Sequence, residues 1–253
     1  MTSSSDAVLQ TTELLQEILL QLDMRTLLTA AQLVNRQWHD VITTSPALQQ
    51  ALYFAPVVSS AYPATQNPLL SELFPYWFQE GTGGDNPHAL KEVKEISRLD
   101  FGCLPMAQES RRHAFMYPNA TWRHMLVRQP PVLTLGRWTT SHSSWGNNHR
   151  IHIDEIPGGL RMDRLYDIAQ RWLRRTVSNF VVFRGPNAVT AYARTLYGSL
   201  LDPIEKGQLQ ALSRRVDLIV LRHMVVQCSM ESGYPEYDEA FAFPGSQEQQ
   251  DDL

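Results

Sequence analysis

The residues with the clearest capacity for chemistry lie in one short stretch: His142, His149, His152, Asp154 and Glu155. Imidazole and carboxylate ligands of this kind can hold zinc or another divalent ion. In an extended chain His152 and Asp154 would share a face. The intervening residues, Ser143 to Asn148, read as a loop, and no helical HExxH or CxxC frame fixes the ligands. A solvated loop and a polar strand face is the reading adopted, with no metal and no cofactor. The chain has 2 Cys, Cys103 and Cys228, far apart and in no zinc or disulfide pattern. Cys103 beside Leu104 reads as a small buried side chain rather than a nucleophile. There is no G-x-S-x-G elbow. The loop Gly81 to Pro87 lacks the Lys-Ser/Thr of a phosphate cradle. Arg171, Arg174, Arg175, Arg214 and Arg215 offer a basic patch for an acidic substrate, against the plainer reading of helix ends and solvated faces. No enzyme is predicted.

The elements behind these residues form an ordinary globular chain. Its 253 residues are 43% hydrophobic and 19% charged, with a net charge of -4. The isoelectric point is near 6.1 and the mean hydropathy is -0.28. That balance argues against a dedicated nucleic-acid binder. No long uninterrupted apolar run predicts a membrane span. The start, MTSSSDAVLQ, has neither the basic residues nor the apolar run of a secretory signal, so a cytoplasmic or nuclear location is expected.

The strongest pattern runs from Thr12 to Tyr53. Thr11 or Thr12 can cap a first helix, with Glu13 favourably placed in its first turn. Leu14, Leu15, Ile18, Leu19 and Leu22 follow at helical spacing. Asp23 ends that helix and caps a second carrying Leu27, Leu28 and Ala31. Val34, Trp38, Val41 and Ile42 mark a third. Ser45-Pro46 stops it and starts a fourth, with Leu48 and Leu52. So short a segment, without Cys or metal ligands, carries more apolar surface than it can bury alone. A partner or the rest of the chain must supply the remainder.

These residues resemble an F-box. The usual pattern is Leu-Pro-x-Glu-Leu-Leu, Ile-Leu-x-x-Leu, a Leu-Leu pair, a Val-Cys-x-x-Trp block and Ser-Pro-x-Leu. It is matched in order by Glu13-Leu14-Leu15, Ile18 to Leu22, Leu27-Leu28, Val34 to Trp38 and Ser45 to Leu48. Asn35 stands where the pattern has Cys. The resemblance implies docking onto the Skp-family adaptor of a cullin-based SCF ubiquitin ligase and recruitment of a protein substrate. Adaptor contact would fall to Leu14, Leu15, Ile18, Leu19, Leu22, Leu27, Leu28, Trp38 and Ile42. Segments NPLL, PYWF and ATWRHMLVRQPP are similar to a group of F-box proteins common in fungi. Two other readings share the same box: an adaptor-binding protein acting outside a full ligase, in assembly or trafficking, and a box tethered to an enzyme.

The expected organisation is α+β. Residues 1–6 form a polar tail, 7–55 the helical module, and 56–117 a connector. Residues 118–245 form a mixed α+β region that recruits the substrate, and 246–253 an acidic tail. Within the connector, Leu69 to Phe78 reads as aromatic core packing, and His88 to Leu99 as a weak helical or extended segment. Pro118 to Pro131 predicts a helix capped by Asn119, with Trp122, Met125 and Leu126 buried. Strands are predicted over Val132 to Leu135, His149 to Ile153 and Phe180 to Phe183, with a long central one over Val216 to Cys228. A turn is predicted at Pro157 to Gly159. Helices are predicted around Leu165 to Leu173, where Asp167 and Arg171 are spaced to pair, and over Ala188 to Leu196.

Overall fold

The computed structural model describes residues 11–57, 64–78, 96–97, 104–143, 146–175 and 178–225. The two terminal tails, the Gly81 to Pro87 loop, most of His88 to Leu99, Cys103 and Cys228 lie outside these residues, as do the side chains from Arg171 to Ser178. The architecture is α+β.

Four short helices open the chain: α1 (Thr12–Leu19), α2 (Met24–Thr29), α3 (Arg36–Thr44) and α4 (Pro46–Ala51). Local chemistry sets their boundaries. The Asp23 side chain accepts from Thr26 N and from the Thr26 hydroxyl, which holds its carboxyl below the usual carboxylate range. Ser45 caps α4, with Pro46 in the first turn. Asn35, the polar residue in place of Cys, caps α3 by accepting from Trp38 N at 2.9 Å. Leu15, Leu19, Leu27, Ala31, Val41, Ile42, Leu48 and Leu52 form one buried cluster.

The remainder is built on a five-stranded sheet in the order β2-β6-β7-β4-β5. Its strands are β2 (Ile96–Ser97), β4 (Thr134–Ser143), β5 (Gly146–Glu155), β6 (Ser178–Phe183) and β7 (Leu218–Val225). β7 is central, parallel to β4 and antiparallel to β6. Its side chains alternate between two cores. Leu218 and Val220 join Leu135, Phe180 and Val182 on one face. Ile219 and Leu221 join Trp138 and Val181 on the other. The first face is covered by α7 (Met162–Arg175) and an aromatic cluster centred on Phe74, whose ring lies 4.8 to 5.7 Å from those of Trp77, Phe115, Trp122 and Tyr166. The core-packing reading of Leu69 to Phe78 therefore holds. The second face is covered by α8 (Gly185–Tyr192) and α10 (Pro203–Ser213); a short turn of helix, α9 (Leu196–Ser199), lies between them in the chain.

Several expectations are revised. The segment after Pro118 makes one 3-10 turn, Thr121–His124, and Asn119 does not cap it. The chain then extends because Leu126 N donates to Tyr53 O at 2.7 Å, and β3 (Arg128–Gln129) pairs with β1 (Thr65–Gln66). Trp122, Met125 and Leu126 are nevertheless buried. Of the supposed loop from Ser143 to Asn148, Ser143 lies in β4 and Gly146 to Asn148 lie in β5, with Ser143 paired to Gly146; Ser144 and Trp145 lie outside the described residues. Asp167 pairs with Arg123 at 2.8 Å, and its expected pairing with Arg171 involves a side chain outside the described residues. A capping box at Asp202 and Glu205 starts α10, which the sequence reading passed over. The connector also contains α5 (Pro68–Leu73), capped by Asn67, and α6 (Glu109–Met116). The predicted Pro157 to Gly159 turn holds: Gly159 has φ 89°, and a Cβ there would lie 2.5 Å from Pro131.

The parallel start of β4 and β7 is fixed by Asp217. Its Oδ2 accepts from Leu133 N, Thr134 N and the Thr134 hydroxyl at 2.8 to 3.0 Å. Asp217→Ala strands two backbone donors and is expected to cost about 2 kcal/mol. A lowered urea midpoint with an unchanged slope is the expected readout, and Asp217→Asn retains part of the loss.

Candidate functional site

The N-terminal module has an inside and an outside. Leu15, Leu19, Leu27 and Ile42 are at most 2% exposed and form its own core. They build the module's own core and are not presented on its surface. The reason is geometric: α1 is packed by α3, which takes the stripe i, i+4 through Leu15 and Leu19. Leu22, Leu28 and Trp38 are half-buried against that core. Leu28 and Met24 also pack against the aromatic core of the second unit, so α2 is committed inward as well.

Four large apolar side chains point outward. Leu14 and Ile18 are 46% and 38% exposed on α1. Leu33 and Val34, at the end of the 3-10 turn Ala31–Leu33 and just after it, are 84% and 56% exposed. Leu33 went unremarked in the sequence because a 3-10 turn breaks the 3.6-residue period that picks out helical faces. Leu14 and Ile18 are one turn apart on the same side of α1.

The module is bound tightly at its exit. Tyr53 has φ 62°, unusual for a bulky residue. Its hydroxyl donates to Gln66 O at 3.1 Å. Gln129 donates to Ala55 O and accepts from Val57 N, at 2.7 and 2.9 Å. Arg161 donates to Phe54 O at 3.2 Å. Exposed Arg25 and Glu72 meet at 2.7 Å beside this junction.

The candidate metal ligands are separated by the sheet. His152 Nε2 lies 3.0 Å from Asp154, whose carboxylate also takes Arg137 and Arg164 at 2.9 and 3.0 Å. His149 is on the opposite face, stacked at 5.1 Å on Trp138 and 3.5 Å from Glu205. His142 stacks on His223 at 4.3 Å. Among the described residues no three His, Cys, Asp or Glu side chains form a group able to hold a metal ion. Arg214 and Arg215 are exposed, as expected for the end of α10. Among the described residues no helix is long and apolar enough to cross a membrane.

His223 was not singled out in the sequence, where it is hidden within an apolar strand. It is 1% exposed; burial, with His142 beside it, lowers its pKa from 6.5 to about 4. The unfolded chain therefore takes up a proton at higher pH than the fold does. Stability is highest above the unfolded value and falls as pH drops from 6.5 towards about 4. The loss assignable to His223 is about 3 kcal/mol. Urea unfolding of wild type and His223→Leu across this range checks it: the variant should show the shallower decline.

No protein-family model matches the chain, and the searches of curated proteins and of solved structures return no match.

Proposed function

We propose that the protein is a substrate receptor of an SCF-type ubiquitin ligase, docking on a Skp-family adaptor through Leu14, Ile18, Leu33 and Val34. One observation carries this reading. A small helical module with an F-box-like sequence leaves Leu14 and Ile18 exposed on one side of α1 and Leu33 and Val34 exposed around its 3-10 turn, after its own core and the adjoining unit have taken other apolar side chains. Large apolar side chains kept in solvent in this number on so small a module favour a binding role. The buried residues of the F-box-like pattern act indirectly, by holding α1 at the angle that presents Leu14 and Ile18. The role is non-enzymatic: the receptor raises the local concentration of a target near the ubiquitin carrier. Adaptor binding outside a ligase remains the second reading, and cullin in the purified complex distinguishes the two.

Burying one such side chain contributes roughly 1.5–3 kcal/mol. Leu14→Asp with Ile18→Asp is therefore expected to abolish co-purification with the adaptor while leaving the circular dichroism melt intact. Leu15→Asp with Leu19→Asp should instead unfold the module, because it places charges in a core with no partner. If the outer double variant holds the adaptor as well as wild type does, the docking proposal fails.

A further inference from the structure

The sheet ends in an open strand. β5 pairs with β4 through ten consecutive residue pairs, from Thr134–Glu155 to Ser143–Gly146, without a bulge. It is last in the strand order, and among the described residues nothing pairs with its outer edge. Proteins usually blunt such an edge with Pro, Lys, a bulge or a covering element. The β5 sequence, GNNHRIHIDE, contains neither Pro nor Lys.

The two faces of β5 differ in character. Asn148, Arg150, His152 and Asp154 alternate onto one. There a single carboxylate, Asp154, is shared by Arg137, Arg164 and His152. Arg150 is exposed and makes no ion pair among the described residues. Arg137, Arg164 and the exposed Arg150 thus gather on the face that holds Asp154, on a protein whose net charge is -4. The other face carries Ile151, 42% exposed, and Ile153, half-buried against the α8–α10 core. Glu155 falls on this second face, at the strand end. The first turn of α10 adjoins it through the His149–Glu205 contact, and Ile204 in that turn is exposed.

We propose that the outer edge of β5 captures an extended segment of a target protein, with acidic side chains on one face and apolar side chains on the other. Its backbone would add a strand to the sheet. Its acids would meet Arg150 and the arginines around Asp154, and its apolar residues would cover Ile151. Main-chain bonds give affinity in this mode, and alternate side chains give selectivity. A second copy of the chain is the poorer fit, since the one carboxylate β5 would bring to that face, Asp154, is already held by Arg137 and Arg164. The proposal rests on the receptor reading for its biological sense; its chemistry does not depend on it.

The test uses the full chain and a fluorescein-labelled peptide of about nine residues, with Glu at every second position and Val or Thr between. Fluorescence polarisation should show saturable binding that weakens with salt. A peptide with Lys in place of Glu, and an acidic one with alternate backbone amides methylated, should bind roughly tenfold or more weakly. Arg150→Glu should weaken the acidic peptide by a similar factor without lowering the melting temperature. Absence of saturation, equal binding of the three peptides, an unaffected Arg150→Glu variant, or self-association through β5 would each overturn the proposal. No adaptor is present in this assay, so its failure leaves the docking reading standing, and the loss of docking leaves this result standing.

Discussion

β7 must be dry on both faces, and most of the α+β unit follows from that. Leu218 and Val220 project to one side, Ile219 and Leu221 to the other. A strand of this kind can persist only between two covering layers. The chain supplies one from α7 and the aromatic residues before it, and the other from α8 and α10. The cluster around Phe74 has its meaning here: residues Leu70 to Phe78 lie far before β7 in sequence yet form part of its roof. Placing such a strand centrally also leaves the hairpin partner of β4 on the outside.

The parts readable in advance were those governed by neighbours in sequence. Asp23, Ser45 and Pro46 act within one helical turn, so the ends of α2, α3 and α4 could be read directly. The two-sided β7 was equally plain, because a run of apolar residues with no polar alternation has one economical explanation. What stayed hidden depended on distant partners. Leu14, Leu15, Ile18 and Leu19 are equivalent in pattern, and only the packing of α3 decides which pair turns inward. Trp122 to Leu126 carries a helical pattern, but the carbonyl of Tyr53 captures the amide of Leu126 and extends the chain. The Asp202–Glu205 box is local too: Asp202, Pro203 and Glu205 lie within one helical turn.

The histidine and carboxylate cluster shows how pairing in space redirects residues with plausible spacing. His149 and His152 are three residues apart, and strand geometry sends them to opposite sides of the sheet. Asp154 is held by arginines that no local window reveals. Its carboxylate is engaged by Arg137, Arg164 and His152 together. A group that might have attracted a cation is instead held by side chains of the chain itself.

The left-handed backbone at Tyr53 has a mechanical implication. Within five residues the chain passes from the helical module to bonds with Leu126, Gln129, Arg161 and Gln66. Among the described residues, the chain from Tyr53 to Val57 is tied to the second unit as it leaves α4. For a receptor of the proposed kind, the two ends would be joined by a bracket and not by a leash. A leash lets captured cargo wander, so that any lysine on it can meet the ubiquitin carrier. A bracket aims, and the choice of lysine would then be written into a handful of backbone torsions at one tyrosine.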